Sequence, residues 1–194
     1  MVLEDDYIAG NPRYNGTELM VVISGCSGGG KSSLLTEMSA RGFPIRPEPG
    51  RQIVKEQLYI GGDALPWANT RKFAELCVWR ALYFYNTAQP TEKPILFDRS
   101  IIDNIAGLQR AGLDVPAYLE EAVKRYRYAP KVYMVPPWRE LFVVDAERRH
   151  SFEAAQTEYE SLLDDYPTAG YDVVIIPKGT VRERADFLEE QLSR

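Results

Sequence analysis

The chain has 194 residues, 45% of them hydrophobic and 26% charged, which suits one globular domain with a full core and is too short for two comfortable ones. Its net charge of −5 provides no general pull toward nucleic acid or anionic lipid, and no apolar run nears the ~20 residues that span a bilayer. Two cysteines without a C-x-x-C pair, and a single histidine, His150, exclude a disulfide framework, a multi-histidine metal site and a Ser-His triad as leading ideas.

The opening MVLEDDYIAG is acidic and broken by glycine, unlike a signal or transit peptide, so the expectation is a cytoplasmic protein with no membrane and no nucleic-acid partner. Residues 1–18, rich in turn formers, read as a loose N-terminal arm, and 19–194 as the folded domain. Leu19–Ile23 is the first strand, followed by a glycine-rich turn and a helix over Lys31–Ala40. A weaker strand is expected over Phe43–Glu48, a helix over Arg51–Ile60, and a long helix from about Trp67 to Asn86. The third strand, Pro94–Phe97, ends at Asp98, and Ser100 with Asp103 forms a capping box for the next helix. A helix over Val115–Tyr126, a strand over Lys131–Val135 and a helix over 151–165 follow. The last strand, Tyr171–Ile176, leads to a helix opened by the capping box Thr180–Glu183. Apolar strands alternating with helices indicate an α/β fold of three layers around a mostly parallel sheet of about five strands.

The turn after the first strand, Gly25-Cys26-Ser27-Gly28-Gly29-Gly30-Lys31-Ser32, fits G-x-x-x-x-G-K-[ST] between a strand and a helix, the context in which that motif is a P-loop. Its glycines let successive N–H groups turn inward around phosphate oxygens, and the helix starting near Lys31 aims its positive end at the same point. Gly25 to Ser32, with Ser33, are therefore the expected nucleotide-binding residues; Lys31 reaches the outer phosphates and the Ser32 hydroxyl can ligate Mg²⁺. Cys26 reads as a small residue tolerated in the loop rather than a redox sensor. Asp98, at the strand end where ligands bind in such sheets, is the second candidate Mg²⁺ ligand. The next residue is Arg99, where hydrolysing ATPases commonly carry a water-activating glutamate, which favours a role in binding a phosphoryl group or acceptor. No N-K-x-D guanine signature occurs, so ATP is the expected nucleotide.

Asp98-Arg99-Ser100 with Asp103 resembles a segment of nucleoside and thymidylate kinases, and Glu48-Pro49-Gly50-Arg51 is similar to the ribosylnicotinamide kinase portion of bifunctional regulators of NAD biosynthesis. Over about residues 19–192 the chain resembles a bacterial AAA-domain family of predicted ATPases, through GCSGGGKSS (25–33), PEPGR (47–51), ALPW (64–67), FDRS (97–100), PPW (136–138) and ERRHSFE (147–153). The kinase resemblance implies that Glu48 acts as base or grips an acceptor hydroxyl; the competing reading makes it an acid favourable to the N-terminus of the helix beside it. It also implies that Arg148 and Arg149 belong to a lid closing over the phosphates, and that Lys178, in Pro177–Thr180, lies where adenine is held. The implied activity is Mg²⁺-dependent transfer of the γ-phosphoryl of ATP to a small, nucleoside-like acceptor. The alternative is a regulatory ATPase or nucleotide-dependent switch acting through a protein partner. Catalysis is assigned to Lys31, Glu48, Asp98, Arg99, Arg148 and Arg149. Trp67, Phe73, Trp79, Arg80, Tyr83 and Trp138 are aromatic or basic enough to build an acceptor pocket that stacks a flat ring, while aromatics on a long helix read first as core.

Overall fold

β1 (Met20–Gly25) is buried at all six positions and forms the centre of the sheet. It pairs in parallel with β3 (Ile95–Asp98) on one side and β4 (Lys131–Val135) on the other. β2 (Ile45–Arg46) lies beyond β3 and β5 (Asp172–Ile175) beyond β4, so the order is β2-β3-β1-β4-β5. In the computed structural model, which describes residues 7–89, 92–142 and 151–193, the sheet is five-stranded and wholly parallel, as the α/β reading expects.

The helices are α1 (Lys31–Ala40), α2 (Pro49–Ile60), α3 (Thr70–Asn86), α4 (Ile101–Arg110), α5 (Ala117–Arg125), α6 (Phe152–Thr168) and α7 (Val181–Leu192). The period of two in β1 divides the core. Val21 and Ile23 pack with Leu34, Leu35 and Met38 of α1 and Ala185 and Leu188 of α7. Met20 and Val22 face the other layer, with Tyr85 of α3, Ala106 of α4 and Tyr159, Leu162 and Tyr166 of α6. α5 closes a third cluster over α3 and α4. Helices therefore cover both faces, and the chain's polar residues at the C-terminal strand ends are left to build a site.

Element ends differ from the sequence reading for local reasons. β2 is two residues long because Pro47 brings no N–H to a ladder and Glu48 already serves as the N-cap of α2. α3 starts at Thr70 rather than Trp67, because the Asn69 side chain accepts from the Lys72 N–H and caps the helix there. Residues 7–17 are not loose. Asn11 is buried and its Nδ2 donates to the carbonyls of Tyr85 and Ala88. Asn15 Nδ2 reaches the carbonyl of Arg125, and the Gly16 N–H that of Arg127. Side-chain amides thus pin a segment that has little apolar surface of its own.

Candidate active site

The phosphate loop is shaped by its glycines. Gly25 has φ +121°, and a Cβ there would stand 2.2 Å from the Val135 carbonyl oxygen, so β1 can pass the end of β4 only with glycine. Gly30, at φ +80°, occupies the N-cap of α1 without a side-chain cap, which leaves the helix's first N–H groups open to an external acceptor. Lys31 is buried and its Nζ donates to the carbonyls of Gly25 and Cys26, both at 3.1 Å, so the ammonium is folded over the loop it serves. Burial raises the Cys26 thiol above its ordinary pKa against the pull of Lys31, consistent with a packed and unreactive residue.

Arg99 is the hub of the site. It holds φ +72° on a non-glycine residue, a left-handed strain that surrounding contacts must hold in place. Its Nη1 lies 2.7 Å from Glu158 Oε1 and 3.3 Å from Asp103 Oδ1, and its Nε stands 3.3 Å from Glu48 Oε1 at ion-pair distance without hydrogen-bond alignment. Although Glu48 is the N-cap of α2, its side chain makes no capping bond, so its carboxylate is turned to Arg99 instead. Asp103 has a different task. It accepts from Ser24 Oγ, the Ser100 N–H and Tyr166 OH, and completes the capping box of α4, as its spacing from Ser100 predicts.

Asp98, buried at the end of β3, has an Oδ1 with no hydrogen-bond partner among the described residues. Burial pushes its carboxyl up to about 6; Lys31 and Arg99 pull it down, while Glu48 and Asp103 add to the rise. A desolvated carboxylate oxygen of this kind suits a hard cation, and the oxygen donors of Asp98 and the exposed Ser32 are of the type that fits Mg²⁺. Glu158 has the opposite shift. Burial pushes it up, but Arg99, then Lys31 and Arg110, and the Ser27 N–H hold it down at about 2, so it is a fixed anion.

Two hollows flank the loop. One, of about 420 Å³, runs between α2, α3, α4 and α6; Ser27, Glu48, Arg99, Asn104, Arg110 and Phe73 are among its walls. It carries charge of both signs and one aromatic face, and it reaches the phosphate loop at Ser27. The other, of about 540 Å³, lies behind Gly30 and Ser33 and is walled by Trp138, Leu141, Gly179 and Arg184. Lys178 Nζ stands 5.9 Å over the Trp138 ring beside it. Of the residues that could build an acceptor pocket, Phe73 walls the first hollow and Trp138 the second, whereas Trp79 and Tyr83 are exposed. Arg148 and Arg149 lie outside the described residues.

A family model described as AAA domain matches residues 20–184, from the start of β1 to the first turn of α7. The chain belongs to the AAA domain family. Among solved structures, this AAA domain is similar to a deoxyadenosine kinase from M. mycoides with bound dATP, at 16% identity and a TM-score of 0.56, over 90% of this chain and 100% of that one. A second structure of that enzyme, with products dCMP and a flexible dCDP bound, gives 17% identity and a TM-score of 0.53 over 90% and 98%. At this identity the likeness is one of fold. A comparison with curated proteins returns no match.

In the AAA domain the loop, Glu48, Asp98 and Arg99 converge on one end of the sheet, while three further residues that no motif marks join them. Glu158, Arg110 and Arg184 come from α6, α4 and α7. Two carry a sequence signal. Arg184 is four residues before Leu188, and Glu158 four before Leu162, on the apolar stripes of their helices. A charge on a buried stripe is the mark of a paired or functional group.

Proposed function

We propose that this AAA domain is a Mg²⁺-dependent kinase that moves the γ-phosphoryl of ATP to a hydroxyl of a nucleoside-like acceptor. The observation carrying this reading is the first hollow, which has Ser27 of the phosphate loop and the Glu48–Arg99 pair in one wall system and is roomy enough for a small molecule. The fold shared with a deoxyadenosine kinase supports it. A hydrolase needs no such second chamber, whereas a transferase must hold two substrates end to end.

In this reading the loop amides from Gly28 to Ser33 and Lys31 hold the phosphates, and Lys31 leaves the carbonyls of Gly25 and Cys26 to do so. Trp138 and Lys178 flank the nucleoside end of ATP. Ser32 and Asp98 would hold Mg²⁺, which would supply charge neutralisation at the phosphate oxygens. Glu48 takes the proton of the acceptor hydroxyl as its oxygen bonds to the γ-phosphorus; the bond to the β,γ-bridging oxygen breaks and ADP departs. Arg99 balances charge on the moving group and keeps Glu48 oriented. By family resemblance Arg148 and Arg149 are assigned to balancing charge on the phosphates. Among the described residues no helix is long and apolar enough to cross a membrane.

The test uses purified protein, Mg²⁺-ATP and a pooled set of nucleosides and other metabolites, with mass detection of new phosphorylated species. A product one phosphoryl group heavier than its acceptor names the substrate. Glu48→Gln is expected to abolish that product with ATP binding nearly intact; equal loss of both would remove Glu48 as base. Slow hydrolysis with no product across a broad pool would favour the nucleotide-dependent switch.

A further inference from the structure

Arg184 is among the most completely buried side chains of the protein, at 2% exposure, and among the described residues it makes no ion pair. Burial pulls its pKa below that of an ordinary arginine, and among the described residues no carboxylate acts against the pull. Guanidinium stays charged in proteins, so α7 holds a cation at the back of the site that no carboxylate of the described residues pairs. Its partners are two backbone oxygens of the phosphate loop. Nη2 donates to the Gly29 carbonyl at 3.2 Å and Nη1 to the Gly30 carbonyl at 3.5 Å.

These two bonds have a geometric consequence. In a planar trans peptide the C=O and the following N–H point in opposite directions. Holding the carbonyls of Gly29 and Gly30 toward Arg184 turns the N–H groups of Gly30 and Lys31 away from it, toward the phosphate side. A Cβ on Gly30 would stand 2.8 Å from Nη1, so Gly30 also makes room for the guanidinium. The charge and the two bonds thus serve one purpose.

We propose that Arg184 is a positioning residue of the phosphate loop, orienting the amides of Gly30 and Lys31 and supplying the counter-charge for a nucleoside di- or triphosphate. The proposal rests on the loop being a nucleotide site and deepens that reading. It makes Arg184 selective in effect: a ligand with phosphates beyond the first depends on it, and a nucleoside monophosphate far less.

The experiment is calorimetric titration of the full chain with ATP, ADP and AMP, for wild type, Arg184→Gln and Arg184→Lys, with thermal melting of each protein. Arg184→Gln is expected to weaken ATP and ADP by about tenfold or more, the scale of losing charge-assisted bonds, with AMP within about twofold. Arg184→Lys keeps the charge without the two-pronged hold, and is expected to lose several-fold for ATP, again sparing AMP. If the glutamine variant fails to fold, the lysine variant decides. Unchanged ATP affinity in a folded variant, or equal loss of ATP and AMP, would overturn the proposal and leave Arg184 a packing residue. Wild type that binds ATP but phosphorylates nothing sinks the kinase reading alone; wild type that binds no nucleotide sinks both.

Discussion

The backbone N–H of Ser27 donates to Glu158 Oε2 across 3.2 Å, although 131 positions separate the two residues. The protein thus places an anion of its own at the lip of the phosphate loop, and Arg99 holds the other oxygen of the same carboxylate at 2.7 Å.

The pH dependence of stability follows from that anion. The folded pKa of Glu158, about 2, lies below its ordinary 4.5, so its stabilisation is full above pH 4.5 and is lost as pH falls toward 2. The shift corresponds to roughly 3 kcal/mol at neutral pH. Glu158→Gln should lower stability by about that amount at pH 7, and the gap to wild type should be roughly halved at pH 3. Urea denaturation at both pH values measures it; a gap independent of pH would mean that Glu158 titrates normally.

Arg99 offers a separation of charge from strain. Arg99→Ala deprives Glu48, Asp103 and Glu158 of their common cation and is expected to cost about 3–5 kcal/mol. Arg99→Gly removes the same charge yet suits φ +72°, so it should be about 1 kcal/mol less damaging. Equal losses in thermal or urea unfolding would show that the left-handed backbone stores little.

Gly25→Ala tests the crossing of β1 and β4. The added methyl would meet the Val135 carbonyl oxygen at 2.2 Å, and φ +121° is foreign to alanine. Overpacking and backbone strain together predict a loss of about 3 kcal/mol, with nucleotide binding reduced because the loop starts from this residue. A variant as stable as wild type would mean that the two strand ends can part freely.

Lys31→Met should separate chemistry from folding. Two hydrogen bonds to loop carbonyls disappear, a loss of about 2 kcal/mol at most, while phosphoryl transfer is expected to drop at least ~100-fold. Coupled measurement of melting temperature and ATP consumption with acceptor distinguishes these. Transfer at the wild-type rate would exclude Lys31 from the reaction.

The amino-acid sequence made the middle of the molecule legible and the borders less so. Met20–Gly25, the loop and α1 are contiguous, so one short stretch declares strand, turn and helix together. The capping boxes Ser100–Asp103 and Thr180–Glu183 are local too, and both form. Glu48, Asp98 and Arg99 sit at strand ends, where position alone suggests a role. Glu158 and Arg184 lie inside helices, where a charge on the apolar stripe marks them as paired but names no partner, because Ser27 and Gly29 are 131 and 155 residues away. The docking of residues 7–17 was hidden for the same reason, since asparagine side chains make those bonds to distant carbonyls.

That separation of 155 residues between Gly29 and Arg184 bears on biosynthesis. The loop leaves the ribosome first, and the cation beneath it, on α7, emerges only after those 155 further residues. On the proposed role of Arg184, nucleotide would bind chains in which α7 has emerged in preference to shorter nascent ones, and by binding them would draw the folding equilibrium toward the folded domain. Ribosome-bound chains stalled before α7 should be poorly retained on immobilised ATP, and released full-length chains well retained.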